Sequence, residues 1–275
     1  MYTGCRYLHR CPVSLGSITP GIVERVLFIM KRITVLLVTL VFFITAEPCA
    51  QDRLLVAVAA NFIEPFKEIT ALFETKTLVH VEPTFSSTGK LYAQIIAGAP
   101  YDLFLSADEK RPAELFQRGQ AGKPFVYAKG EVVLWTAQKE LCDLGDWKTA
   151  IMSNEVGRIA IANTESAPYG SSSMIALKKA GLWDGIQDRL VFPQDVLQSF
   201  QYAYSGSVDA GFCALSSALT EHGKAGCWFV VKDAPEIIQA AVVLNRSDLK
   251  EAAERFAAFL VSKETDAVKR KYGYL

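Results

Sequence analysis

The sequence predicts an α/β fold built as two lobes. Three observations carry this expectation. Short apolar, β-branched runs alternate with segments of helical period, and most of those runs have no polar face, as in sheets covered on both sides. The about 225 residues from Gln51 onward are also long for one lobe and suit two. Residues 54–59 form an unbroken apolar run of strand length. Behind Pro65, Phe66, Ile69, Leu72 and Phe73 make one helical stripe, and 79–81 read as the next strand. Leu91, Ile95 and Ile96 form a second stripe, followed by strands at 103–106, 132–136 and 158–162. A helix around Met174 and a stripe of Leu197, Phe200 and Tyr204 precede strands at 210–214 and 240–244. Leu249, Ala253, Phe256, Phe259 and Leu260 then recur at i, i+4, i+7, i+10 and i+11 behind a candidate cap at Ser247, giving a last helix that should cover a sheet.

No Gly/Ser-rich or Pro-rich linker divides the lobes, so short strand crossings near 130–133 and 228–231 are expected to connect them. The first lobe then comprises 51–131 and 229–275 and the second 132–228. Residues 1–50 are set apart as an upstream extension plus signal peptide, because Lys31-Arg32 precedes an apolar run over 33–44 and then Thr45-Ala46-Glu47-Pro48-Cys49-Ala50. That run is about a dozen residues against the roughly 20 a spanning helix needs, so no membrane span is expected after cleavage. The expected cut follows Ala50, with Ala46 as the second candidate because Pro48 fits badly at the third position before Ala50's bond. Cys49 lacks the small residues of a lipobox before it. Residues 1–29 look unlike an export signal, and Met30 directly before the Lys-Arg pair is the expected start. Export would place the protein in the periplasm.

The 29 basic and 29 acidic side chains cancel to +0, and no run of Lys or Arg interleaved with aromatics occurs. Nucleic acid is therefore not an expected partner. Without Arg6, Arg10, Arg25, Lys31, Arg32, Glu24 and Glu47 the exported part is slightly acidic. Cys142, Cys213 and Cys227 remain after cleavage, and an odd count leaves at least one thiol unpaired. Either Cys213 bridges Cys227, or Cys213 is a small buried core residue.

Candidate chemistry lies where helices start. Ala59-Ala60-Asn61-Phe62, Ser86-Ser87-Thr88-Gly89, Ala167-Pro168-Tyr169-Gly170-Ser171 and Pro193-Gln194-Asp195-Val196 each bring a small polar or turn-forming segment to a helix N-terminus. Each exposes unsatisfied N–H groups at a positive helix end. One such end is merely a capped helix. Two in each lobe, facing one another, can bind an anion between them. A fully ionised oxyanion offers only acceptors, so its site needs only donors, and Asn61, Thr88 and Ser87 are the side chains that fit. Lys90 beside them reads as a solvated helix lysine.

These motifs carry a family resemblance. Val58-Ala59-Ala60-Asn61-Phe62, Ser87-Thr88-Gly89-Lys90-Leu91-Tyr92-Ala93-Gln94-Ile95, the stretch from Gly98-Ala99-Pro100-Tyr101-Asp102 to Ser106-Ala107-Asp108, Ala160-Ile161-Ala162-Asn163 with Ala167-Pro168-Tyr169-Gly170, and Lys271-Tyr272-Gly273-Tyr274 occur in order. Together they resemble the periplasmic molybdate-binding proteins of ABC transporters. The resemblance implies a two-lobed type II periplasmic-binding fold, each lobe a mixed sheet flanked by helices. It implies a monomer that closes over molybdate or tungstate and delivers it to a membrane permease, with no catalysis, no cofactor and no direct ligand to a metal cation. Asn61 stands where many members have Ser and some Asn, and Thr88 stands at a hydroxyl position usually filled by Ser. Tyr169 and Val196 match positions that donate through the backbone N–H, and Ala60 sits where some members place Thr. Ala214 departs from one branch, which carries there a Tyr that reaches the anion; the rest of the pattern resembles the branch that does without it.

Rival classes find less support. Ser87-Thr88-Gly89-Lys90 formally matches the Ser-x-x-Lys of serine acyl-transfer enzymes, but their Ser-Asp-Asn and Lys-Thr-Gly partners are absent. His80 and His222 are the histidines of the exported part, too few to support a triad or zinc site. Sulfate or phosphate is the nearer rival; phosphate keeps a proton and would use an acceptor such as Glu165 or Asp195.

Overall fold

A computed structural model describes residues 53–275 and, upstream, Gly21, Glu24, Arg25 and 27–33, which are helical. Met30 falls within 27–33; the apolar run beyond Ile33, both candidate cleavage sites and Cys49 lie outside the described residues. The chain divides into Met1–Ala50 and the folded unit Gln51–Leu275. Among the described residues no helix is long and apolar enough to cross a membrane.

The folded unit is α/β and contains two mixed five-stranded sheets. In the first, the apolar β1 (Arg53–Ala59) lies between and parallel to β2 (His80–Ser86) and β3 (Leu103–Leu105), with Leu54 opposite Val81 and Val58 opposite Leu105. β10 (Ile237–Val243) runs antiparallel between β3 and β4 (Phe125–Gly130), giving the order β2-β1-β3-β10-β4. The second sheet has the order β7-β6-β8-β5-β9. There β6 (Ile159–Ala160) is parallel to β7 (Leu190–Val191) and β8 (Ala210–Ala214), while β5 (Val132–Thr136) is antiparallel to β8 and to β9 (Cys227–Val230). With β6 matched to β1, β7 to β2, β8 to β3, β5 to β10 and β9 to β4, the two orders are the same. Each antiparallel strand, β5 or β10, follows a crossing from the other sheet.

The crossings set the lobe limits. Glu131 alone separates β4 from β5. The expected return at 229 falls inside β9, whose Phe229 and Val230 pair with Leu134 and Val133. The first sheet is re-entered only at Ile237, so the boundary moves from 229 into the 231–236 connection. Trp228 and Phe229 belong to an edge strand, half-covered by the second lobe.

The helices cover these sheets through the stripes that define them. On α1 (Ile63–Thr77), Phe66, Ile69 and Phe73 are buried, and Phe66 and Phe73 meet Phe256 of α10 (Lys250–Leu260) at ring separations of 5.7 and 4.9 Å. Leu72, expected in this stripe, turns outward, as does Ile96 at the end of α2 (Thr88–Ile96). Ser247 does not cap α10: its hydroxyl donates to Asp102 and accepts the Leu249 N–H, so the helix starts at Lys250. A further helix, α11 (Lys263–Lys271), follows, and the backbone of Leu275 then pairs with Lys129 through bonds of 2.9 and 3.1 Å.

α3 (Lys110–Gln117) lies between β3 and β4 of the first lobe, and the second lobe contains α4 (Lys139–Cys142), α5 (Trp147–Ile151), α6 (Pro168–Lys179), α7 (Trp183–Ile186), α8 (Val196–Tyr204) and α9 (Leu215–Ala218). All four tryptophans of the chain, Trp135, Trp147, Trp183 and Trp228, sit on elements of this lobe. The disulfide joins Cys142 to Cys227, within the second lobe, and does not involve Cys213. Cys213 points into the apolar core from the middle of β8, where burial pushes its thiol pKa up and a reactive thiolate is disfavoured.

Candidate functional site

The matched topology explains why helix starts face one another. In each sheet the first two parallel strands run into helical segments: β1 into a 3-10 turn over Ala60–Phe62 and α1, β2 into α2, β6 toward α6, and β7 toward α8. Their N-terminal ends line one small cavity between the lobes. Ala60, Asn61, Ser87, Thr88, Tyr169 and Val196, all six residues singled out from the sequence, are on its wall, with Ala59, Ala107, Ala167, Pro168 and Asp195. No Lys, Arg or His is among these lining residues.

The wall is built from groups that donate. Ser87 occupies the cap position of α2 with extended backbone, yet its side chain makes no cap bond, and its buried Oγ has no hydrogen-bond partner. Leaving such a hydroxyl unpaired costs roughly 1 to 3 kcal/mol, a cost that an acceptor in the cavity removes. Thr88 Oγ1 accepts the Ala107 N–H at 3.0 Å, so its own proton is left to donate. α6 starts at Pro168, which has no N–H, behind Ala167, which provides no side-chain cap. The Tyr169 N–H is thus the first free donor of that helix. At α8, Asp195 Oδ1 accepts the Gln198 N–H at 3.0 Å, leaving the Val196 N–H at the very end of the helix. Asp195 is the one ionisable lining carboxylate, and this cap bond is how its charge is used.

Asn61 behaves differently from the expectation of a side-chain donor to the cavity. Its Nδ2 donates to Gln239 Oε1 at 2.7 Å and to Tyr274 Oη at 3.0 Å, which employs both amide protons. Its carbonyl accepts from Ser216 Oγ at 2.8 Å and Tyr274 Oη at 2.7 Å. Tyr127 also donates to Gln239 Oε1, at 3.0 Å. This buried polar cluster stands directly behind the site. Burial pushes the hydroxyls of Tyr127, Tyr169 and Tyr274 above the usual tyrosine range, so each remains protonated. Nothing in the motif pattern joined Gln239 or Ser216 to Asn61. The available signal was Gln239 itself, a fully buried amide inside an otherwise apolar strand.

The lobes touch across the site. The Gly89 N–H donates to Ser166 O at 2.7 Å, Arg111 Nη2 to Glu165 O at 3.0 Å, and Gln194 Nε2 to Ser86 Oγ at 3.4 Å. A Cβ on Gly89 would lie 2.8 Å from Ser166 Cα. Other residues weighed from the sequence are elsewhere. Lys90 is exposed, so Ser87 and Lys90 form no Ser–Lys pair, and the Glu165 side chain is exposed outside the cavity wall. Ala214 is buried in β8 opposite Val132. His80 pairs with Glu74 at 3.0 Å and His222 meets the Tyr204 hydroxyl at 3.0 Å, both on the surface.

Residues 54–275 match the family model of the bacterial extracellular solute-binding proteins. The chain belongs to that family. Curated relatives of this binding protein include molybdate-binding protein ModA of Rhodobacter capsulatus, 36% identical over 84% of this chain and 91% of the relative. ModA of Azotobacter vinelandii is also 36% identical, over 80% and 88%. Among solved structures, the Azotobacter vinelandii periplasmic molybdate-binding protein superposes with a TM-score of 0.76 at 34% identity, covering 81% of this chain and 98% of that one. The type II periplasmic-binding fold expected from the motifs is therefore that of the solute-binding protein. A sulfate-binding protein from Mycobacterium tuberculosis, at 15% identity and a TM-score of 0.67, shares the fold.

Proposed function

We propose that this chain is the extracytoplasmic molybdate-binding component of an ABC importer. It holds the tetrahedral oxyanion between its lobes and presents it to a membrane permease from the periplasm, without catalysis. Tungstate, equal in charge and shape, is the second ligand of the same site. The observation that carries the reading is the cavity wall: four helical N-termini, two unengaged hydroxyl protons on Ser87 and Thr88, and no cationic side chain. The expected ligands are those hydroxyls with the N–H groups of Ala60, Asn61, Tyr169 and Val196. Hydrogen bonds to a charged group contribute roughly 1.5 to 3 kcal/mol each. Half a dozen exceed the ~8 kcal/mol of a micromolar complex even after desolvation.

The same wall defines the rival that must be tested, phosphate. A protonated phosphate needs an acceptor, which only Asp195 among the lining side chains could add as a carboxylate, and its Oδ1 accepts the Gln198 N–H. Calorimetric titration of anion-free protein with molybdate, tungstate, sulfate and phosphate tests the proposal. One-to-one binding of molybdate and tungstate, with sulfate and phosphate at least a hundredfold weaker, is expected. Sulfate or phosphate binding as tightly as molybdate would overturn the assignment.

A further inference from the structure

We infer that Tyr274 is a positioning residue of the anion site, acting through Asn61; the inference rests on the proposed use of the cavity. Tyr274 does not line the cavity, and its ring packs edge-on against Phe62 at 5.1 Å. Its hydroxyl receives one amide proton of Asn61 and meets both the Asn61 carbonyl and Ser216 Oγ, at 2.7 and 3.0 Å. Both tyrosine and asparagine are almost fully buried, so these bonds are shielded from competing water. In a helical turn carbonyls and N–H groups point in opposite directions along the axis. Fixing the Asn61 carbonyl on Tyr274 and Ser216 therefore turns the N–H groups of Ala60 and Asn61 the other way, toward the cavity that both residues line.

The surroundings hold that hydroxyl in place. Leu275 pairs with Lys129 through two backbone bonds, anchoring the segment next to the Gly130 crossing. Gly273 has φ of 75°, a conformation suited to glycine, and a Cβ there would lie 2.7 Å from Leu215 of the second lobe. Gly130 leaves room on the other side, since a Cβ there would fall 2.3 Å from Tyr169 Oη and 3.0 Å from Tyr274 Cε1. Asn61 and Tyr274 belong to the first lobe and Ser216 to the second. The same hydroxyl thus orients the turn and links it to the opposite lobe.

The test is a double-mutant cycle of Tyr274→Phe and Asn61→Ala on the purified chain, read by molybdate calorimetry and by amide hydrogen exchange at Ala60 and Asn61 without anion. Tyr274→Phe keeps the ring and is expected to weaken molybdate about tenfold; in the Asn61→Ala background a smaller loss is expected to persist, because the amide bond to Tyr274 is gone while the backbone carbonyl that the hydroxyl fixes remains. Exchange at Ala60 and Asn61 is expected to accelerate in Tyr274→Phe. Ser216→Ala, which leaves Tyr274 intact, reads the link from the other lobe and should also weaken molybdate. Tyr272→Phe, whose hydroxyl meets Glu68 away from the cluster, is the control expected to leave affinity unchanged. Unchanged affinity or unchanged exchange in Tyr274→Phe would overturn the inference. A parent protein that fails to bind molybdate would instead overturn the functional proposal, and exchange would still decide the role of Tyr274.

Discussion

At the scale of single residues, the site is distinguished by which protons are already spent. Ser87 and Thr88 are neighbours on one helix start, yet one hydroxyl is wholly unpartnered and the other is engaged only as an acceptor. Each thus has a proton to give an anion, and Ser87→Ala and Thr88→Ala should each weaken molybdate by a factor of about 10 to 100. Calorimetry measures that loss, and thermal melts of the anion-free variants separate it from unfolding. Ser87→Ala should leave the anion-free melt unchanged or raised, because it removes a buried unpaired hydroxyl. Thr88→Ala should lower its melt, because it strands the Ala107 N–H. Asn61 shows where reading the motif reached its limit. Its place on the cavity wall followed from its position before a helix. The engagement of its amide did not, because Gln239 and Tyr274 are far away in sequence and meet it only in the folded state.

At the scale of elements, legibility follows coverage. The central strands β1, β3, β5, β6, β8 and β10 are apolar runs because neighbours and helices enclose them, and their positions were readable from that alone. The edge strands β2, β4, β7 and β9 are the ones the sequence shortens or hides, and central β10 is read short too, at 240–244, because polar Gln239 interrupts its apolar run. β2 even contains Pro83, which an edge tolerates because one side of the strand needs no donor. Edge strands are half-exposed, and their mixed composition resembles loops. The misplaced return at 229 has the same origin. Helix starts were more legible than strand ends, because cap and turn chemistry is local. For α8 this yields a stability prediction: Asp195→Ala removes the Gln198 cap bond and should destabilise the protein by about 1 kcal/mol, measured by urea denaturation. The Cys142–Cys227 bridge closes a sequence separation of 85 residues. In a chain-entropy account that is worth about 4 to 5 kcal/mol. Reduction should therefore lower the denaturation midpoint while leaving the anion site, which contains neither sulfur, chemically intact.

At the scale of the whole molecule, binding and closure are one equilibrium if each lobe provides half of the donors. Gly89 sits where the lobes meet, with its N–H on Ser166 and no space for a Cβ. Gly89→Ala should oppose the closed arrangement more than it opposes folding of either lobe. The expected outcome is at least tenfold weaker molybdate binding with an unchanged melt of the anion-free protein; a large drop in that melt would place the cost in folding instead. The matched strand orders of the two sheets make the lobes comparable in construction, but not in their optical properties. Because every tryptophan resides in the second lobe, light absorbed only by indole interrogates that lobe while the first stays dark. Emission recorded against denaturant, set beside the backbone circular dichroism of the same sample, becomes a spatially selective assay. Superimposable curves would mark the two lobes as a single cooperative unit, and an earlier or later emission change would give each lobe its own stability.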